Sequence, residues 1–163
     1  MRVSRSLAGV FAVFAATWPL MISAAEISPF VRGSWKEIVE THAGAPFIVH
    51  FWGLTCAPCR KEMAGWGQLL NESPSLRLVT INADIVPNDP DEALEFLEQS
   101  GLGEAQNFIF AEDFVDPLRF EIDPSWQGEI PLSLLIDADG TRTKIEGAAE
   151  PDAVRAWLTA KAK

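Results

Sequence analysis

In 47-FIVHFWGLTCAPCRKEM-63 an apolar run leads straight into two cysteines, and beyond them the pattern changes period. Residues 47–52 are apolar on both faces apart from His50, the pattern of a central strand covered from both sides. From Pro58 onward Met63, Trp66 and Leu70 recur at spacings of three and four, which predicts a helix that Asn71 and Pro74 bring to an end. Cys56 and Cys59 are the only cysteines of the chain. They fall at the junction of strand and helix, so their chemistry is the first functional question.

The same periodicities order the rest of the chain. Upstream, Ser34 and Glu37 have the spacing of a capping box before a helix over 35–43, which Gly44 and Pro46 break. Downstream come a strand over 76–84 and a helix over 90–101, with Asp89 as cap, Pro90 in its first position and Gly101 as its stop. A third strand, 107–111, precedes a short helical turn at Asp116-Pro117. Then 132–136, a turn at 137-DADG-140 and 141–147 read as a hairpin, closed by a helix over 151–162 that packs through Val154, Trp157 and Leu158. The prediction is one α/β domain: a central mixed sheet flanked by helices.

With 163 residues and 48% apolar content, a single ordinary core is affordable. Residues 1–25 differ from the rest. They carry Arg2 and Arg5, no acid, an apolar run from Leu7 to about Ile22, and the small residues 23-SAA-25. That is the three-part pattern of a secretory signal with Glu26 as the first mature residue, the alternative being a retained membrane anchor. Residues 26–163 form the domain. The formal net charge of −10 argues against nucleic acid as a partner. From Asp84 to Glu129 acidic residues outnumber basic ones thirteen to one, Arg119 being the exception. This reads as a solvated face or a docking surface for a basic partner.

Three chemistries compete for the cysteine pair. A tetrahedral zinc site wants four protein ligands, and only His42 and His50 are available besides, both upstream. A structural bridge across so short a loop stabilises a fold weakly. Redox exchange suits the position, because a thiol at a helix N-terminus meets free N–H groups and the positive end of the dipole, which favour the thiolate. Cys56, at the helix mouth, is then the attacking thiol and Cys59, one turn in, the resolving one.

The segment 51-FWGLTCAPCRKEM-63, with Trp52 four residues before Cys56, resembles the thioredoxin superfamily, and within it the exported TlpA/ResA/CcmG-like thiol/disulfide oxidoreductases. The likeness in element order runs from about 34 to 162 and implies a thioredoxin-like fold with an extra N-terminal helix. It implies that Pro131, in 129-EIPLSLLID-137, is the cis-proline facing Cys56, and that the backbone of Ile130 pairs with substrate. Trp52 and Pro58 support the site. His50 occupies the strand position where thioredoxin has a buried acid thought to move protons for the resolving cysteine; it either assists Cys59 or is a core histidine. The chain departs from the family at Thr55, where an aromatic residue is usual, at Ala64 in place of a proline, and at Leu132 in place of a threonine.

The family resemblance further implies a reductant of protein disulfides in the periplasm, of the kind serving cytochrome c maturation or copper-site assembly, without a cofactor and re-reduced by a membrane thiol carrier. Oxidases of the DsbA type carry an inserted helical domain for which this chain has little room. The main rival is a Cu(I)-binding chaperone module on the same fold. Such chaperones use C-x-x-x-C with a distal histidine, and here both histidines precede the cysteines. A peroxidase would show Thr-x-x-Cys, whereas Gly53 stands three residues before Cys56.

Overall fold

The computed structural model describes residues 25–161. Residues 1–24, nearly all of the segment read as a signal or anchor, lie outside them. The elements run β1 (Ile27–Phe30), α1 (Ser34–Thr41), β2 (Phe47–Trp52), α2 (Ala57–Glu72), β3 (Leu78–Asn82), α3 (Pro90–Gln99), β4 (Gln106–Phe110), α4 (Asp116–Ile122), β5 (Leu132–Ile136), β6 (Arg142–Glu146) and α5 (Pro151–Lys161). The strands form one sheet in the order β1-β4-β3-β2-β5-β6. β1, β4, β3 and β2 are parallel, while β5 runs antiparallel to β2 and β6 to β5. The predicted mixed α/β sheet is therefore present.

All six residues of β2 are buried, as its unbroken apolar run requires. Alternation sends Phe47, Val49 and Phe51 to one face, against Trp35 and Ile38 of α1 and Leu118 and Ile122 of α4. Ile48 and Trp52 point to the other, against Met63, Trp66 and Leu69 of α2, Leu97 of α3 and Val154 of α5. Each such side chain contributes about 1.5–3 kcal/mol when fully buried, so coverage from both sides holds β2 at the centre. Leu70, placed on the core face by its spacing, is only half-buried, and Leu69 takes the interior position.

His50 shares the α2 face with Ile48 and Trp52, and its register neighbours are Ser133 on β5 and Thr80 on β3, which in turn pairs with Asn107 on β4. Four adjacent strands thus carry a polar row through an apolar layer, each member at most 3% exposed. Such groups need partners. His50 Nδ1 lies 2.9 Å from Ser133 Oγ, the Thr80 hydroxyl donates to Asn107 Oδ1 at 2.7 Å, and Asn107 Nδ2 donates to the Leu102 carbonyl at 3.0 Å.

Two sequence expectations need correction. β1 was not foreseen, because Pro29 interrupts a run of four residues. The strand lies at the sheet edge and pairs with β4 alone, where a missing N–H is tolerated. The capping box also does not form. The cap of α1 is Gly33, and Ser34 Oγ accepts the Val31 N–H at 3.0 Å instead. Gly33 N–H goes to Glu121 Oε2 at 2.9 Å and Arg32 N–H to Glu112 Oε1 at 2.9 Å, so part of the acidic stretch anchors this corner. The α3 start is as read, with Asp89 accepting the Asp91 N–H at 2.9 Å. β3 is shorter than 76–84, which leaves Ala83 and Asp84 beyond its end, next to the turn that follows β2.

Candidate active site

β2 ends at Trp52, and Gly53, Leu54 and Thr55 turn the chain so that Cys56 becomes the N-cap of α2. Its backbone is extended and its Sγ accepts the Cys59 N–H at 3.2 Å. Ala57 and Pro58 open the helix, where a proline costs no hydrogen bond. The sulfurs are joined, with S–S 2.06 Å and Cα–Cα 5.3 Å. Cys56 is half-buried and Cys59 fully buried, the asymmetry that separates an attacking thiol from a resolving one. The Arg60 guanidinium lies over the Phe96 ring at 5.9 Å, drawn to α3.

Opposite the sulfurs stands the segment that enters β5. The Ile130–Pro131 peptide is cis, as the family resemblance implies, and the Ile130 carbonyl oxygen lies 3.6 Å from Cys56 Sγ. β5 pairs with β2, so the sheet itself brings this segment to the cysteines. From behind, Trp126 Nε1–H donates to the Glu129 carbonyl at 2.9 Å. Gly128 has φ +99°, and a Cβ there would run into the guanidinium of the buried Arg119. Between the two walls lies a groove of about 470 Å³ lined by Thr55, Cys56, Pro58, Asp84, Gly128 and Ile130. At its rim Ile85 and Val86 are 72% and 63% exposed.

Trp52 is not a wall of this groove. It is fully buried, with its ring 5.4 Å from Phe96 and its indole nitrogen without a partner among the described residues. His42 stacks on Phe47, at the end of β2 away from the cysteines. Among the described residues no cluster of three or more His, Cys, Asp or Glu is placed to hold a metal.

His50 lies under α2, its ring 4.9 Å from that of Trp66 and its Nε2 3.6 Å from Glu62 Oε1. Burial lowers its pKa to about 3, so the imidazole is neutral. Burial raises Glu62 to about 7, against the pull of the Ala149 N–H that its Oε2 accepts at 2.8 Å. At neutral pH the two are a neutral imidazole facing a half-protonated carboxyl rather than an ion pair. Glu62 follows Cys59 by three residues and precedes Trp66 by four, which puts all three on one helix face. Glu62 is not among the site residues expected from the sequence, although that spacing is a signal for it. Asp84, Ile85 and Val86 had no local signal.

The fold, with a disulfide-linked C-x-x-C at the head of a helix and a cis-proline opposite, defines the class: the chain is a thioredoxin-like thiol/disulfide oxidoreductase with a redox-active pair. Its likenesses within that class are to DsbE- and StoA-type proteins. It is similar to the sporulation thiol-disulfide oxidoreductase A of Bacillus subtilis (strain 168), with 27% identity over 137 residues, 75% of this chain and 72% of the relative. In fold it is similar to a secreted Mycobacterium tuberculosis disulfide oxidoreductase homologous to E. coli DsbE, with TM-score 0.59, 22% identity, and coverage of 74% of this chain and 85% of that one. StoA from B. subtilis gives TM-score 0.53 and 23% identity over 71% of this chain and 84% of that one. No protein-family profile matches the chain.

Proposed function

We propose that the protein is an extracytoplasmic reductant of protein disulfides, acting in the periplasm behind the N-terminal signal or anchor. The observation that carries this reading is the half-buried Cys56 Sγ at the helix mouth, 3.6 Å from the carbonyl of the cis-proline segment and open to a groove of about 470 Å³. In the dithiol form the Cys56 thiolate attacks a substrate sulfur. One substrate S–S bond breaks, a mixed disulfide forms, and the other substrate sulfur leaves as a thiolate. Cys59 then loses its proton and attacks Cys56 Sγ, releasing the second substrate thiol and producing the disulfide seen here. Two electrons pass to the substrate, and a membrane thiol carrier returns the protein to the dithiol.

Ile130 and Pro131 hold the substrate backbone, Pro58 shapes the helix mouth, and Ile85 and Val86 offer an apolar rim. The proton of Cys59 goes to Glu62, whose pKa of about 7 suits an acceptor near neutral pH, and the neutral His50 keeps Glu62 in its buried place. In this reading α1 is an addition to the thioredoxin core, and the acidic 84–129 face receives a basic partner. Substrates are disulfide-bearing proteins of the cytochrome c or copper-site assembly kind. The secreted character of the M. tuberculosis relative supports the location.

The test is a Cys59→Ser chain expressed in the periplasm. A reducible adduct on Cys56 is expected and names the substrate. No adduct, together with tight Cu(I) binding by the native dithiol, would replace this reading by the copper chaperone. The reduction potential against the periplasmic poise decides direction.

A further inference from the structure

We propose that Asp84 is a positioning residue for the exchange reaction: it holds the turn that presents Cys56, and its negative charge weights the Cys56–Cys59 couple toward donating electrons. This rests on the oxidoreductase reading above. Asp84 lies two residues past the end of β3 and is 7% exposed. Its Oδ2 accepts the Thr55 N–H at 3.0 Å and its Oδ1 the Thr55 hydroxyl at 2.7 Å. Its own N–H donates to Asn82 Oδ1 at 3.2 Å, so the carboxylate is fixed from its backbone as well. A Cβ on Gly53 would overlap the Asp84 carboxylate, so the turn approaches the acid only because residue 53 is glycine. All of this acts on the residue directly before the N-cap cysteine.

The same carboxylate faces the chemistry. Asp84 and Cys56 line one groove, and Asp84 is the one charged side chain among the described residues that line it. The head of α2 stabilises a thiolate at Cys56, and a fixed anion lining the same groove opposes that stabilisation. Couples whose reduced form is stabilised are oxidants. A couple whose thiolate is held back is correspondingly the better reductant.

The experiment equilibrates the full chain at pH 7 with defined ratios of reduced and oxidised glutathione. Two glutathione thiols become one glutathione disulfide as the protein disulfide becomes a dithiol. Asp84→Asn removes the charge and keeps an acceptor for Thr55. It is expected to shift the equilibrium constant about fivefold toward the dithiol, about 20 mV at 29.6 mV per tenfold. Asp84→Ser, equally uncharged, shifts it the same way and serves where the asparagine variant does not fold. Thr55→Val keeps the charge and moves the constant less than twofold.

An uncharged variant within twofold of the native constant, or displaced the other way, overturns the proposal. So does a Thr55→Val shift as large as that of Asp84→Asn, since lost hydrogen bonds would then account for both. A native chain that does not exchange with glutathione at all sinks the assigned activity, and this proposal with it.

Discussion

His50 Nε2 and Glu62 Oε1 face each other at 3.6 Å inside the protein, and neither atom has a hydrogen-bond partner among the described residues. Their opposite pKa displacements give folding a definite pH signature. A histidine held near 3 in the fold and at 6.5 when unfolded contributes stability that is present above about 6.5 and lost as pH falls toward 3. A carboxyl raised from 4.5 to about 7 contributes stability that is present below about 4.5 and lost as pH rises to about 7. Between these limits folded and unfolded chains bind one proton each at this pair, and the two slopes cancel. His50→Asn is expected to lose stability relative to the native chain as pH rises from 5 to 6.5. Glu62→Gln is expected to gain it, each by roughly 1 kcal/mol or more over that window. Urea unfolding at the two pH values measures both. A Glu62→Gln profile parallel to the native one would show that Glu62 takes up no proton on folding.

The cysteines should react unequally once reduced. Cys56 is half-buried at the groove while Cys59 is enclosed by the α2 face of the core. Brief iodoacetamide treatment of the dithiol, followed by peptide mass mapping, is expected to label Cys56 at least tenfold faster. Equal labelling would mean that α2 opens on reduction and that the two roles are not set by burial.

Ile85 and Val86 project beside Cys56 with most of their surface in solvent. Replacing both with serine is expected to cost little stability, since neither contributes to the core. The rate on a protein disulfide should fall severalfold, while the rate on a small aromatic disulfide stays near native. Equal losses on both substrates would remove this rim from substrate recognition.

Gly128 combines φ +99° with a position where a Cβ would overlap the Arg119 guanidinium. Gly128→Ala is therefore expected to destabilise the protein by about 1–3 kcal/mol, from backbone strain and displacement of a buried side chain. Because the same segment leads to Ile130, the exchange rate should drop as well. A urea midpoint and a disulfide-reduction assay on one preparation report the two effects together.

Much of the site was legible because it is local. The double-sided apolar run of β2, the C-x-x-C after it and the helical period beyond place Cys56 at a helix head by chain geometry alone. The Asp89-Pro90 start of α3 is equally local, and the cis bond at Pro131 was anticipated from family likeness. The edge strand β1 is hidden because its proline is acceptable only at a sheet edge, where β4 is its one strand partner among the described residues. The Ser34–Glu37 pattern misled for a related reason: distant Glu121 takes the Gly33 N–H, and Ser34 turns back to Val31.

The sequence by itself determined the order of elements from α1 onward, the pairing of Cys56 with Cys59 and the chemistry such a pair supports, since these follow from period, spacing and the electrostatics of a helix terminus. Only the tertiary structure decided what surrounds the sulfurs. The β2–β5 pairing brings the Ile130 carbonyl to Cys56, the end of β3 delivers Asp84 to Thr55, and the packing of α2 on the sheet sets Glu62 against His50. The first two are contacts between segments far apart in the chain, chosen by burial and register, which no spacing along the sequence records; for the third, helical spacing puts Glu62 on the face of Cys59 and Trp66, and only packing adds His50.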